Sequence, residues 1–409
     1  MANRKKNTTK QAVRYAKKYP KAVIAIAVIL LIIALAFLIV YLVKPEIFDR
    51  FRPNGDNGGD TPSGEVSEGN LADIKNSELS IHFLKFDNDK AGDCTLIKCG
   101  DTEVLIDAGS TQASASTIKT YVNEYCTDGV LEYVIATHAD QDHIAGMVGT
   151  SSKGVYNGVL YSYKVGTIIR FDRSNKKLTT DKGNPTLYAN FLQAVDHAKQ
   201  EGASVFTASQ CWYGRDGAER TYYLDADKKV SLNILYNYYY ENSSTDENNY
   251  SVCTLLSQET EDGKKHYLFT GDLEEKGEEY LVQYNTDLPE VELFKAGHHG
   301  SPTSSNDCLL SKIKPKYVSV CCCAGTDEYT KTPANQFPSQ AFIDRVSKYT
   351  DCVYVTNMIS TNADGYEPMN GNIVFYVSGK ELKLWCSNGN TKLKDTEWFK
   401  ANRKGWGVT

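Results

Sequence analysis

Residues 134–143 read Val-Ile-Ala-Thr-His-Ala-Asp-Gln-Asp-His, and no other stretch narrows the fold so far. A short apolar run with β character delivers His138, Asp140, Asp142 and His143 within six residues. The chain then passes into Ile144-Ala145-Gly146-Met147, the opening of a helix. In an extended turn His138, Asp140 and Asp142 share one side by the strand period of two. Imidazole nitrogens alternating with carboxylate oxygens suit a divalent cation of intermediate hardness, zinc or manganese. His143 follows at the helix start, within reach of a second cation. Two metals around one activated water are the expected result of such a layout. The plainer alternative is a polar loop whose Asp caps the helix. Four metal-capable side chains in six positions tell against it.

The same design of strand, glycine and ligand recurs twice. Residues 266–273 read His-Tyr-Leu-Phe-Thr-Gly-Asp-Leu, placing Asp272 at a strand's end where it can bridge two cations. Residues 291–301 read Val-Glu-Leu-Phe-Lys-Ala-Gly-His-His-Gly-Ser, with His298 beginning 26 residues beyond Asp272. His266, at the far end of its strand, reads as merely exposed. An opening meander runs from residue 79 to 106 and closes on Asp107-Ala108-Gly109. Strands are also expected near residues 161–170, 203–207, 230–235 and 315–322, with helices over 112–125, 191–199, 274–283 and 340–348. The strands over 353–356, 372–377 and 381–386 are expected to complete the second of two sheets.

Taken in order, these motifs resemble the metallo-β-lactamase superfamily. The usual His-x-His-x-Asp-His appears here as His-x-Asp-x-Asp-His, similar to the hydrolase domain of the ComEC-type competence proteins, without their channel. Gly92-Asp93, Leu105 to Gly109, Thr270-Gly271-Asp272 and Gly297 to Ser301 match that family's motifs. The resemblance covers roughly residues 79–386. It implies an α/β fold, the αββα four-layer sandwich: two mixed sheets face to face, helices outside, metals at the loop edge. It implies one or two Mn²⁺ or Zn²⁺ ions on His138, Asp140, Asp142, His143, Asp272 and His298. Catalytic roles fall to Asp142, His299 and Ser301, although which of the two adjacent histidines is the ligand stays open. Asp107 is expected to support the metal loop rather than bind metal.

Two departures matter. No histidine lies between His197 and His266, so the third-motif histidine is missing and Asn249 and Ser251 stand in that segment. Phe337 stands where many members carry a further histidine before a proline. With Asp140 replacing an imidazole, the first site is expected to be oxygen-rich and to favour Mn²⁺.

Composition decides what surrounds the enzyme. Residues 1–21 hold eight basic side chains and no acid, which leaves 37 basic against 51 acidic in the rest, a net −14. Residues 22–43 are 22 uncharged, mostly aliphatic positions, long enough at helical rise for a bilayer core of about 30 Å. The basic flank orients such a span with the amino terminus inside. The expected order is a basic cytoplasmic segment 1–21, a transmembrane helix 22–43, a flexible linker 44–78, a hydrolase domain 79–387 and a tail 388–409. The domain would then lie outside the cell membrane. Residues 236–249 read as a surface loop with strand-end tyrosines, or more sharply as a lip that stacks on a substrate ring. Eleven cysteines are scattered without a Cys-x-x-Cys pair, and Cys321-Cys322-Cys323 read as the end of a buried strand, core packing rather than a thiolate cluster. The expected function is a phosphodiesterase or nuclease acting on nucleic acid or a related phosphodiester. The acidic balance leaves open another phosphoester, such as choline phosphate on wall polymers. An inactive metal-binding surface module is the third reading.

Overall fold

The computed structural model describes residues 67–360 and 365–407. The basic segment, the apolar span and linker residues 44–66 lie outside the described residues; residues 67–78, expected as flexible linker, are folded instead, with Ser67–Glu68 paired to Lys383–Leu384 and Ile74 buried in the core. Within these, no helix is long and apolar enough to cross a membrane. Residues 66–409 form one compact unit.

The first sheet takes its strands from both ends of this unit. They are β1 (Ser67–Glu68), β2 (Ser80–Phe83), β3 (Thr95–Cys99), β4 (Thr102–Ile106) and β5 (Val130–Ala136). A two-strand hairpin, β6 (Ser151–Ser152) and β7 (Val155–Tyr156), precedes β8 (Lys164–Arg170) and β9 (Ser204–Thr207). The second sheet is continuous in sequence. It runs through β10 (Thr221–Tyr223), β11 (Val230–Ile234), β12 (Thr254–Thr260), β13 (Gly263–Phe269), β14 (Leu293–Lys295), β15 (Tyr317–Ala324), β16 (Val353–Ile359) and β17 (Tyr366–Pro368). The last strands, β18 (Ile373–Ser378) and β19 (Glu381–Cys386), were expected in the second sheet. They return instead to the first, with Phe375 opposite Ile81 on β2. The reason is packing: Phe375 meets Phe83 from its own sheet and Tyr317 and Tyr354 from the facing one, so it fills the space between the sheets.

Both sheets are mixed. β4, β5, β8 and β9 run parallel, as do β13, β14, β15 and β16. Parallel strands are covered on both faces and therefore read as apolar runs rather than strict alternation. On β15 the period of two sends Cys321 into the core between the sheets and Cys322 into the core beneath the helices. That explains three consecutive cysteines without a metal. Ten of the eleven cysteines are buried. Helices α1 (Ser114–Val122), α2 (Gln141–Val148) and α3 (Leu187–Gln200) contribute Ile118, Met147 and Phe191 to the core of the first sheet. Helices α4 (Glu275–Tyr284), α5 (Asp307–Ile313) and α6 (Gln340–Val346) cover the second sheet with Leu281, Leu309 and Phe342. The tail is part of the same body, since Trp398 and Phe399 are buried against this second core.

A buried histidine in this frame gives a testable pH dependence. His82 on β2 has Nδ1 2.8 Å from the Tyr121 hydroxyl and Nε2 2.8 Å from Ser80 Oγ. Burial, with the nearby charge of Lys98, lowers its pKa to about 3. The unfolded chain takes up this proton as pH falls through about 6.5, and the folded chain refuses it until far lower. The stabilisation is therefore complete above pH 6.5 and is lost on the way down to 3. At pH 5 the loss is about 2 kcal/mol. Denaturant midpoints should fall between pH 7 and 5, and His82→Gln should flatten that slope. An identical slope in the variant would remove His82 as its cause.

Candidate metal centre

The motifs meet because β4, β5, β13 and β14 end at one edge. The loop after β4 carries Asp107, the turn after β5 carries His138 to His143, the turn after β13 carries Asp272, and that after β14 carries His298 and His299. Close approach is enforced by glycine. A Cβ on Gly109 would lie 1.5 Å from the carbonyl oxygen of Asp142, so only glycine lets these two loops touch. His298 and His299 both adopt left-handed backbone, φ 46° and 55°. Such strain in non-glycine residues costs about 1–3 kcal/mol each and concentrates at functional sites.

Four side chains converge. Asp142, His143, Asp272 and His299 present donor atoms that all lie within 4.8 Å of one another. Asp272 Oδ2 is 3.1 Å from His143 Nε2 and 3.2 Å from His299 Nε2, and His299 Nε2 is 3.2 Å from Asp142 Oδ2. These are not hydrogen bonds. Nε2 of His138, His143 and His299 and Oδ1 of Asp272 are all buried without a hydrogen-bond partner. An unsatisfied buried polar atom costs about 1–3 kcal/mol, so several aimed inward together are the profile of a cation site. Two imidazole nitrogens with two carboxylates suit a divalent ion such as Zn²⁺ or Mn²⁺.

The outer nitrogens are fixed. His143 Nδ1 is 2.8 Å from Asp107 Oδ2, and His299 Nδ1 is 2.9 Å from the carbonyl oxygen of Cys321. Each contact turns the ring so that Nε2 faces the cluster. Asp107 also accepts from the amide of Thr137 at 2.8 Å and from its hydroxyl at 2.7 Å, which pins the loop. Asp107→Ala should therefore weaken metal affinity about 10–100-fold with the ligands intact. Competition against a chromophoric chelator reads this directly, and unchanged affinity would leave Asp107 with a fold role only.

Charge is balanced around the cluster. Burial opposes the charged forms of His143 and His299, but Asp272 beside both, Asp107 at His143 and Asp93 at His299 raise their pKa values well above the usual. Burial likewise opposes charge on Asp272, yet the same two imidazoles hold its carboxyl well below the usual range. Lys295 is almost fully buried, ion-paired with Asp93, and has Nζ 3.6 Å from Asp272 Oδ1.

The other expected residues lie around this group. His138 is buried, with Nε2 3.6 Å from Asp140, and Asp140 is ion-paired with Lys176. His298 sits at the rim, 3.9 Å from Asp272 Oδ2, with Nδ1 3.5 Å from Glu274 and 3.4 Å from Asn248 Nδ2. Ser301 turns to Thr303, Oγ to Oγ1 2.9 Å. Ser251 Oγ accepts from the amide of Asp272 at 3.1 Å and lies 3.4 Å from His138 Nδ1. Phe337 packs against both histidines of the pair, ring centroids 5.6 and 6.1 Å away. An open cleft of about 500 Å³ leads to the cluster, bordered by Asp140, Asp142, Lys176, Asn248, Asp272 and His298. Tyr329, also on its wall, donates its hydroxyl to Asp142 Oδ2 at 2.6 Å. Lys295, Lys176 and Tyr329 had not been foreseen. Lys295 left a signal, a charge inside a short apolar strand just before Gly297; the two loop residues left none.

Residues 87–177, which hold Asp93, Asp107 and the whole His138–His143 turn, match the family model described as the metallo-beta-lactamase superfamily. Over this stretch the chain is similar to the metallo-beta-lactamase superfamily. Members of this superfamily are generally metal-dependent hydrolases, and the candidate ligands for such chemistry are in place here. Over 112 residues the chain is 30% identical to Recombination protein 2 of Haemophilus influenzae, a match covering 27% of this chain and 13% of that protein. Among solved structures, the metallo-beta-lactamase fold protein YhfI from Bacillus subtilis is 12% identical with a TM-score of 0.36, over 71% of this chain and 99% of that one. A metallo-beta-lactamase family structure from Thermotoga maritima is 15% identical with a TM-score of 0.28, over 48% and 79%.

Proposed function

We propose that this metallo-beta-lactamase domain is a metal-dependent phosphodiesterase with nucleic acid as substrate, anchored outside the cell membrane by residues 22–43. The observation that carries the reading is the convergence of Asp142, His143, Asp272 and His299 at the foot of an open, polar cleft bordered by Lys176 and His298. The similarity to a protein named for recombination supports a nucleic-acid substrate. Asp142, His143, Asp272 and His299 would hold the cation. A bound Mn²⁺ or Zn²⁺ supplies Lewis acidity to a phosphoryl oxygen and lowers the pKa of water near it. The protein's own part is positional. Asp107 and the Cys321 carbonyl orient the two imidazoles, and Tyr329 holds Asp142. His298, partly exposed beside the cluster, is placed to give a proton to a leaving oxygen.

The test is hydrolysis of single-stranded DNA and of bis-nitrophenyl phosphate by the full chain, metal-stripped and then reloaded with Mn²⁺ or Zn²⁺. Metal-dependent cleavage of both, lost in His299→Ala, is the expected result. Tight metal binding without turnover of either would overturn it. The net charge of −14 beyond residue 21 favours a second reading, a small phosphoester such as choline phosphate. Cleavage of the small diester with DNA untouched would select it.

A further inference from the structure

The cleft holds a lysine where a two-ion site would need a cation. We propose that the cluster takes a single divalent ion, and that the Lys176 ammonium, held on Asp140, replaces a second one as partner for an anionic substrate oxygen. This rests on the phosphodiesterase reading only for the chemistry of that anion.

Three observations lead there. First, among the described residues, neither His138 nor Asp140 belongs to any group of three donors close enough to share an ion. Second, the segment that would supply another imidazole supplies Ser251, whose Oγ is already engaged by the Asp272 amide and lies 3.4 Å from His138 Nδ1. Third, the free side of Asp140 is taken by Lys176, whose loop is fixed rather than loose. Asn175 donates its amide to Glu247 Oε2 at 2.6 Å and its side-chain nitrogen to the Ser244 carbonyl at 3.0 Å. Arg173 donates to the carbonyls of Tyr240 and Glu241 at 3.3 and 2.9 Å.

The charges then close around one ion. Lys295 answers Asp93 and lies against Asp272, while Lys176 answers Asp140. A second dication on Asp140 would have to displace the ammonium and would repel it at short range. An ammonium has three donors. One serves Asp140, and the side chain, 42% exposed, borders the cleft together with His298 and Asn248. A phosphoryl oxygen entering the cleft meets the ion on one side and Lys176 on the other.

Ion counting on the full chain tests the first half. Metal-stripped protein is reloaded with Mn²⁺ or Zn²⁺, freed of excess, and assayed by elemental mass spectrometry. One ion per chain is expected, unchanged in Asp140→Asn and absent in His299→Ala. Two ions, falling to one in Asp140→Asn, would overturn the proposal. The second half is read with inorganic phosphate by calorimetry on the Mn²⁺-loaded chain. Loss of one charge-assisted contact in Lys176→Met should weaken binding about tenfold, with recovery in Lys176→Arg. Equal affinity in the wild type and Lys176→Met would overturn the anion role. Neither readout requires turnover, so a chain that cleaves no diester would sink the phosphodiesterase reading while these results still decide the lysine.

Discussion

Asp272→Asn is expected to empty the metal centre and to lower kcat/KM by roughly a thousand- to ten-thousand-fold, the equivalent of about 4–6 kcal/mol of transition-state stabilisation. The Asp272 carboxylate meets His143, His299, His298 and Lys295. Its Oδ2 lies 3.1 Å from His143 Nε2 and 3.2 Å from His299 Nε2, and its Oδ1 faces Lys295 at 3.6 Å. Asparagine keeps the volume and the backbone amide that donates to Ser251, so the loop is retained. What changes is one negative charge in a fully buried place. His143 and His299 owe their raised pKa values in large part to that charge, and an amide offers the cation a much poorer oxygen. Metal content by elemental analysis and turnover of bis-nitrophenyl phosphate should fall together. A variant with a full complement of metal and wild-type kcat/KM would show that the chemistry sits elsewhere.

What could be read from the chain alone follows from how local each signal is. The His138–His143 turn, Thr270-Gly271-Asp272 and Gly297 to Gly300 are contiguous and sit at strand ends, so spacing exposed them. Asp107 was legible as a support only through the family resemblance, since Asp-Ala-Gly alone is a common turn, and its bonds to Thr137 and His143 are those of a support. The grouping of His299 with Asp142, His143 and Asp272, with His298 at the rim, was not legible. Two adjacent histidines in left-handed backbone point their rings along directions that no strand or helix period predicts. The return of β18 and β19 to the first sheet was equally hidden. Their alternation says that one face is buried, whereas the choice of sheet depends on the long-range pairing of Phe375 with Ile81. Lys176 and Tyr329 reach the cleft from loops in which neither period nor capping operates.

Lys295→Met, measured without metal, should cost about 3–5 kcal/mol of stability, the usual result of removing one partner from a buried ion pair. Lys295 is on β14, a three-residue strand buried throughout, and it has no route to solvent. Burial works against its charge, but Asp93 and Asp272 outweigh that and keep it protonated. Methionine fills similar space and, among the described residues, leaves Asp93 with His299 Nδ1 at 3.1 Å and His143 Nδ1 at 3.8 Å for compensation. Adding Asp93→Asn to Lys295→Met should restore part of the loss, because replacing both members of a buried pair is far gentler than removing one. The same substitution should act oppositely on the ion. With one cation fewer beside Asp272, the cluster attracts a divalent ion more strongly, and an ion that binds only the folded state stabilises it by mass action. The variant should therefore unfold more easily than the wild type when stripped, and gain more from each increment of Mn²⁺. Urea titrations across a series of free Mn²⁺ concentrations read both effects. Parallel curves for the two proteins would mean that Lys295 does not share its electrostatic field with the metal centre.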